Sequence, residues 1–290
     1  MRDGVSASRI WLPAGDWPSV LAFLVAHFDR IDPAIWQQRL REGKVLDAQG
    51  QALAQDAPYR VGQCVYYYRE LPPETVIPFD LHVLYQDDHL LVLDKPHFLP
   101  VTPTGRFVQQ CALTRLKQQF DAPDLTPIHR LDRETAGVML WSRQRISRDA
   151  YQGLFRQRAV QKTYEALAGY QPTLRLPCVY RSRLVKGEPF FRMMETDGEP
   201  NAETHIELLS VRGDVGHYRL KPHTGQQHQL RVHLAALGIP IVNDPFYPTL
   251  QADKADDFSQ PLQLLARSIA FVDPLTGQDR VFDSQLTLTK

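Results

Sequence analysis

The 290-residue chain has 33 Lys and Arg against 33 Asp and Glu, so its formal net charge is zero. Its 43% hydrophobic content is that of a globular protein with a buried core, in one large or two modest domains. No apolar run approaches the roughly 20 residues of a membrane helix, and the N-terminus lacks the apolar segment of a signal peptide. We therefore expect a soluble, cytoplasmic protein. Zero net charge argues against a nucleic-acid partner, although charge can be locally concentrated.

The first part of the chain predicts a small domain over residues 1–75. The helical spacing from Leu21 to Phe28, and the cap-like pair Asp32–Pro33 that opens a second pattern ending at Gly43, indicate two helices. Short strands are predicted at 44–48 and 64–68. The proline-rich stretch 71–78 is the candidate linker to a second domain over 76–290.

The second domain predicts more strands than helices. Apolar or alternating patterns indicate strands at 89–96, 138–141, 162–170, 203–211, 217–222 and 268–272. Helices are predicted at 145–158 and at 228–237. In the first, Ile146, Ala150 and Leu154, with Tyr151 and Phe155, recur at helical spacing opposite an arginine face. In the second, Gln227 and Arg231 share one polar face. Because strands and helices do not alternate regularly, we predict an α+β fold with a mixed, largely antiparallel sheet.

The stretch HRLDRETAG at 129–137 is a polar loop that runs into a buried strand. Arg130 and Arg133 flank Asp132, and nearby cations favour an ionised carboxylate. Such a group can act as a nucleophile, a base or an electrostatic stabiliser, or it can be an ion pair that fixes the loop. Asp132 and Glu134 could alternatively form the carboxylate pair of a glycoside hydrolase, which needs a separation of about 5–9.5 Å.

Other site chemistries have less support. Cys64, Cys111 and Cys178 are odd in number and far apart, so we expect free thiols without a disulfide or zinc site. His223, His228 and His233 are spaced by five residues, unlike the i, i+4 pair of helical zinc sites, and are expected to make hydrogen bonds or contact a polar ligand. Nucleotide-binding glycine loops and a serine elbow are missing from the sequence.

One stretch is strongly basic. Residues 129–162 contain eight Lys or Arg against three acids. Its charge alone favours a solvated helix face.

Together, five motifs in this order resemble the RluA-type pseudouridine synthases. They are LLVLDKP (90–96), HRLDRETAG (129–137), FRQRAVQKTYEALAGY (155–170), NAETHIELL (201–209) and KPHTGQQHQLRVHLAALGIPIVNDPFY (221–247). The chain departs from the family pattern at Gln226, Asn243 and Leu265, where the family usually has Arg, Gly and often His. These departures affect a phosphate contact and substrate choice.

The resemblance implies an isomerase that converts uridine in ribosomal or transfer RNA to pseudouridine, without a cofactor or metal. Asp132 would be the essential carboxylate, as a nucleophile or as the base of a glycal route. Arg231 would pair with it, and Tyr164 would offer an aromatic platform and a proton. The residues implied to contact substrate are His129, Arg130, Thr135, Lys162, Thr224, His228 and Gln229, with a loop-fixing hydrogen bond as the alternative for His129.

RNA is the partner that this resemblance implies, and the basic stretch would contact its phosphates. We expect a monomer without an obligate protein partner. The alternative is a non-catalytic RNA-binding protein on the same fold. The N-terminal domain resembles the alpha-L RNA-binding module over 40–45 and 61–68, but eight basic residues against nine acids also fit a domain that packs or positions.

Overall fold

The computed structural model describes residues 7–68, 74–251 and 257–289. The chain divides into two compact units, Met1–Glu74 and Thr75–Lys290. The predicted linker at 71–78 lies partly outside the described residues, and its residues 74–78 form neither helix nor strand. Over the described ranges, every helix is too short or too polar to cross a membrane.

Over residues 7–68, the first unit forms a three-stranded antiparallel sheet with two helices. Its elements are β1 (Ser8–Trp11), α1 (Val20–His27), α2 (Pro33–Arg41), β2 (Val45–Leu46) and β3 (Cys64–Tyr67), with strand order β1-β3-β2. Asp32 caps α2 as predicted, since its Oδ1 accepts the N–H of Ala34 at 2.8 Å. Strand β1 was missed by the sequence analysis. The alpha-L resemblance stays a prediction.

The second unit contains eleven strands and three helices among its described residues. In chain order they are β4 (His82–Gln86), β5 (Leu90–Lys95), α3 (Ala112–Phe120), β6 (Thr126–Pro127), β7 (Ala136–Ser142), α4 (Arg145–Arg156), β8 (Gln161–Gly169), β9 (Cys178–Lys186), β10 (Met193–Thr196), β11 (Ala202–Arg212), β12 (Val215–Pro222), α5 (Gln229–Ala236), β13 (Leu264–Val272) and β14 (Asp279–Asp283).

These strands form one sheet in the order β10-β9-β11-β12-β8-β13-β7-β5-β4, to which β14 and β6 add at β13 and β7. Among the described strands, only β13 and β7 pair in parallel. The predicted α+β fold with a largely antiparallel sheet is therefore confirmed. Apolar cores lie against the sheet, and the half-buried ring of Tyr164 on β8 packs against two of them.

The predicted apolar face of α4 was wrong at Ile146, which is 86% exposed. The helix buries Ser147 and Tyr151, four residues apart on one face, and the predicted Leu154 and Phe155 pack against the same apolar core as Tyr151. Because successive helical residues are rotated by about 100°, Ile146 is turned away from that face. The predicted apolar residues therefore reach the core at Tyr151, Leu154 and Phe155, and the prediction fails at Ile146.

A glycine allows the two parallel strands to approach closely. Gly137, the second residue of β7, has φ +116°, a backbone conformation that residues with side chains rarely adopt. A Cβ atom there would overlap the backbone of Ala266 on β13, and would lie 2.7 Å from its nitrogen. The close approach fixes the start of β7, and with it the end of the loop that carries Asp132.

Candidate active site

An open cleft of about 640 Å³ lies over the middle of the sheet. The 129–135 loop, β8, the turn after β12 and the first turn of α5 all contribute to its walls. All ten residues that the sequence analysis assigned to the site line it: His129, Arg130, Asp132, Thr135, Lys162, Tyr164, Thr224, His228, Gln229 and Arg231.

Asp132 and Arg231 meet in this cleft although 99 positions separate them. The Nη1 atom of Arg231 donates to Oδ2 of Asp132 at 3.3 Å. The Asp132 side chain is 29% exposed, whereas that of Arg231 is 1% exposed. The Asp132 carboxylate is thus accessible to a ligand, whereas the Arg231 guanidinium that contacts it is buried inside the protein.

Arg231 is fixed by a second carboxylate, which the sequence analysis did not assign to the site. Its Nε and Nη2 donate to the two oxygens of buried Asp244 at 2.8 and 2.6 Å. Asp244 also accepts the backbone N–H groups of Phe246 and Tyr247. Burial alone would lower the pKa of Arg231, but the bonds and charge of Asp244, with the charge of Asp132, raise that pKa above its usual value. The guanidinium is therefore a permanent, rigid cation.

His228 is the second group beside Asp132. It precedes α5 in a left-handed conformation (φ +53°), and its Nε2 lies 3.8 Å from Oδ2 of Asp132. Burial is the main cause that lowers its pKa, and the charge of Asp132 opposes the shift. At neutral pH the ring is thus uncharged and carries one N–H.

Tyr247 determines which nitrogen of His228 carries that proton. The Tyr247 oxygen accepts the N–H of Met193 at 2.7 Å and lies 2.9 Å from Nδ1 of His228. We assign the phenol proton to a hydrogen bond with Nδ1, because the Tyr247 oxygen already accepts the Met193 N–H, and the ring proton then resides on Nε2. This arrangement places an N–H on the side of Asp132.

Tyr164 forms an aromatic wall of the cleft from β8. Burial, and then the charge of Asp132, raise the pKa of its phenol above the ordinary value. The hydroxyl therefore keeps its proton at neutral pH and can donate it.

Polar groups in and beside the turn before α5 form hydrogen bonds with other groups of the protein. Thr224 donates to Oε1 of Gln229 at 2.7 Å, and Nε2 of Gln229 donates to the Glu203 carbonyl at 2.9 Å. Lys162 donates to the Thr224 carbonyl at 3.1 Å. These bonds fix the turn that presents His228, and substrate contact by Thr224, Gln229 and Lys162 stays a prediction.

The start of α5 differs from the predicted helix. The helix begins at Gln229, so Gln227 lies in the preceding turn and is exposed, whereas Arg231 is buried. The predicted polar face that joined these two residues was therefore wrong.

The 129–135 loop is held at both ends. Nε2 of His129 accepts the N–H of Leu140 at 3.1 Å, and its ring stacks on Phe155 at 4.6 Å. This is the loop-fixing bond given as the alternative for His129. The N–H of buried Thr135 donates to the Asp132 carbonyl at 3.2 Å, while Arg130 is exposed at the cleft.

Lys95 also stabilises the 129–135 loop. The sequence analysis did not assign it to the site. Its fully buried amine donates to the carbonyls of Pro96, Leu99 and Arg133 at 2.9–3.1 Å. Burial lowers the pKa of Lys95 to about 7, and the charges of Glu134 and Asp132 oppose that shift. The motif LDKP gave a signal for this lysine, but not for its three partners.

The alternative chemistries find little support in this geometry. Glu134 does not appear among the cleft-lining residues, and its Oε1 lies 3.4 Å from Nη1 of Arg133. Burial is the main cause that raises the pKa of Glu134. Its placement argues against a hydrolase pair with Asp132. Across the described ranges, no three His, Cys, Asp or Glu side chains could jointly hold a metal ion.

The basic stretch mostly serves the protein itself. Arg133 and Arg148 donate to the carbonyls of Phe98 and Asp124, and Arg143 donates to that of Asp87. Arg145 and Arg156 form ion pairs with Asp124 and Asp149. Of the eight cations, Arg130, Arg133 and Lys162 line the cleft. Because most of these cations are paired within the protein, the bonds argue against contact of the whole stretch with RNA phosphates.

The three departures from the family pattern have local explanations. Gln226 Nε2 donates to the Asn201 carbonyl at 3.4 Å. Asn243 adopts a left-handed conformation (φ +61°) and its Nδ2 donates to the Pro261 carbonyl at 3.1 Å. Leu265 is fully buried in β13. Each residue fits its position without contacting Asp132.

Comparison with known proteins relates the chain to RNA pseudouridylate synthases. The sequence model of RNA pseudouridylate synthases matches residues 89–236. The chain is 31% identical over 218 residues to an uncharacterized RNA pseudouridine synthase of Synechocystis, covering 73% of each protein. It is 32% identical to the dual-specificity RNA pseudouridine synthase RluA of Escherichia coli, over 70% of this chain and 91% of that one. Human RNA pseudouridylate synthase domain containing 4 superposes with a TM-score of 0.54 at 27% identity, over 72% of this chain and 89% of that one.

The chain therefore belongs to the RNA pseudouridylate synthase family, and within it to the RluA type. It is an isomerase that converts uridine in RNA to pseudouridine, as the resemblance implied.

The neutral state of His129 gives a prediction for pH. Burial, followed by the charge of Lys162, lowers its folded-state pKa to about 3, against about 6.5 in an unfolded chain. Between these values the unfolded chain binds a proton that the folded protein does not, so stability falls as the pH is lowered through this window. We expect His129→Gln to make the loss between pH 7 and pH 5 shallower, measured as the shift of the urea midpoint.

His82 provides the matched control because it is exposed on β4. His82→Gln should leave the pH slope unchanged, and the slope rather than the absolute stability is the relevant readout. An unaltered slope in His129→Gln would contradict a neutral, buried His129.

Proposed function

We propose that Asp132 is the catalytic carboxylate of this synthase and that Arg231 positions it. The observation that carries the proposal is the 3.3 Å contact of these two groups inside an open cleft. A guanidinium that is held from behind by Asp244 can aim the carboxylate without moving during the reaction. Two routes fit an aspartate here: attack on the sugar carbon, or removal of a sugar proton in a glycal route.

Tyr164 would receive the target base. A uridine that leaves its stack loses the neighbouring bases, and an aromatic side chain can replace part of that contact. The protonated phenol beside Asp132 can also exchange a proton when the base has been reattached. In the overall conversion the bond from N1 to the sugar is broken, a bond from C5 to the sugar forms, and the C5 proton is replaced by one on N1. No atom is gained or lost, so the proposal requires no cofactor.

The proposed substrate is a uridine in ribosomal or transfer RNA. We expect the cleft of about 640 Å³ to accept one everted nucleotide, and Arg130 is an exposed cation at its wall that could contact a phosphate. Monomeric state and cytoplasmic location stay predictions. A non-catalytic RNA-binding protein is the alternative. A protein that only binds RNA would not need a carboxylate held by a buried guanidinium that itself makes two hydrogen bonds to Asp244.

Pseudouridine mapping across total RNA, from cells with and without this protein, tests the proposal. We expect one or a few uridines in ribosomal or transfer RNA to lose the modification, and to regain it when the gene is restored. If the maps are identical while the protein is recovered with bound RNA, the binding alternative replaces the proposed function.

A further inference from the structure

Strands β9 and β10 form a hairpin, and the loop between them, residues 187–192, is called the hairpin tip. This tip presents a solvent-exposed aromatic ring. Phe190 lies in this tip and is 82% exposed. Single exposed apolar side chains are common on protein surfaces, so exposure alone would mean little. The position of the tip is what gives it meaning.

The tip is fastened to the wall of the active-site cleft. Gln227, which lines the cleft, donates through Nε2 to the carbonyl of Phe191 at 3.4 Å. Arg192 donates to the carbonyl of Pro248 at 3.0 Å. The N–H of Met193 donates to the same Tyr247 oxygen that contacts His228. Phe190 is therefore held next to a residue that is bonded to the cleft wall.

A row of rings leads from Arg231, the residue proposed to position Asp132, to this tip. The guanidinium of Arg231 lies 4.8 Å from the ring centre of Phe246, and Phe246 lies 5.3 Å from Phe191. Phe191 in turn meets Phe190 edge to face, at 5.6 Å and 80°. Phe246 and Phe191 are partly buried, whereas Phe190 at the outer end is open to solvent.

The chemistry of the tip favours a base over a phosphate. Residues 187–191 read GEPFF, with one carboxylate and no cation, and Lys186 and Arg192 flank them. Arg192 is bonded to the Pro248 carbonyl and lies over the Tyr247 ring, so the residues around Phe190 offer the RNA backbone little attraction. An aromatic ring stacks on any base, because every base has a π-face. When the target uridine leaves its stack, the adjacent base also loses a stacking partner.

We propose that Phe190 stacks on a base that neighbours the target uridine, which makes the hairpin tip part of the RNA-binding surface. The inference rests on the proposed function, since it requires an RNA held in this cleft. It assigns to Phe190 a role in holding RNA and none in the bond changes at Asp132.

Steady-state kinetics of Phe190 variants test this role on an RNA that the wild type modifies. Phe190→Ala should raise KM about 5- to 150-fold, the value of one base–aromatic stack, and leave kcat within about twofold. Phe190→Trp should restore the wild-type KM because it restores a stacking face. Met194→Ala is the matched control, since Met194 is 51% exposed on the same hairpin and should leave both constants unchanged.

An unchanged KM in Phe190→Ala would overturn the inference, and so would a Phe190→Trp variant as weak as Phe190→Ala. Both results require an active wild type, so they leave the proposed function intact. A wild type that modifies no RNA would instead contradict the proposed function itself.

Discussion

Arg231→Lys is expected to lower kcat for pseudouridine formation by about 100-fold or more. Lysine keeps the positive charge but is a single point donor, whereas Arg231 contacts Asp244 through two nitrogens and Asp132 through a third. An ammonium that remains near Asp244 cannot also hold Asp132, so the catalytic carboxylate loses its alignment. Rates measured at saturating RNA separate this loss from weaker binding.

The matched control for Arg231→Lys is Arg219→Lys. Arg219 forms an ion pair with Glu207 at 3.0 Å on the same sheet, but both side chains are more than a third exposed. Such surface pairs contribute little, so this variant should keep wild-type kcat. Equal rates for wild type and Arg231→Lys would show that the paired hydrogen bonds from Arg231 to Asp244 are not needed to position Asp132.

Gly137→Ala is expected to cost at least about 3 kcal/mol of stability, if the protein folds at all. The added methyl would meet the backbone of Ala266, which cannot move without separating β13 from β7. The φ of +116° at residue 137 is also unfavourable for alanine. Chemical unfolding monitored by circular dichroism measures the loss.

Gly153→Ala is the control for this substitution. Gly153 lies in α4, and a Cβ there would meet only the Arg156 side chain at an ordinary 3.6 Å. Alanine favours helix over glycine, so we expect a gain of roughly 0.5–1 kcal/mol. If both alanine variants were equally stable, the close approach of β7 and β13 would not be what demands glycine at 137.

The sequence was most informative where one short segment carries the signal. The polar run that ends in Gly137 and enters an apolar strand indicated a fixed loop around Asp132, and the resemblance named Arg231 and Tyr164 as its companions. All three line one cleft. Their catalytic roles stay proposals, because position in a cleft does not measure activity.

The partners of these residues could not be read from sequence. Asp244 and Tyr247 act through contacts to Arg231 and His228 that exist only after distant segments pack together. Lys95 looked like the end of a strand, yet its three carbonyl partners come from the turn that follows and from residue 133. Buried polar bonding of this kind is set by tertiary structure.

Several elements gave a weak local pattern. In β9, exposed arginines at 181 and 183 alternate with partly buried residues, so the strand lacks a continuous apolar signal. Helix α3 contains Arg, Lys and two Gln among its nine residues, which hid its buried Leu116. Both elements were missed because packing, rather than composition, stabilises them.

Asp132→Asn provides the most direct test of the account. The substitution keeps the size of the side chain and a hydrogen-bond acceptor for Arg231, but removes the charge that either route requires. Purified protein should bind an RNA that the wild type modifies with nearly unchanged affinity, and form no detectable pseudouridine in it. Asp149→Asn, at an exposed position on α4, should react like the wild type. Wild-type pseudouridine formation by Asp132→Asn would contradict the account.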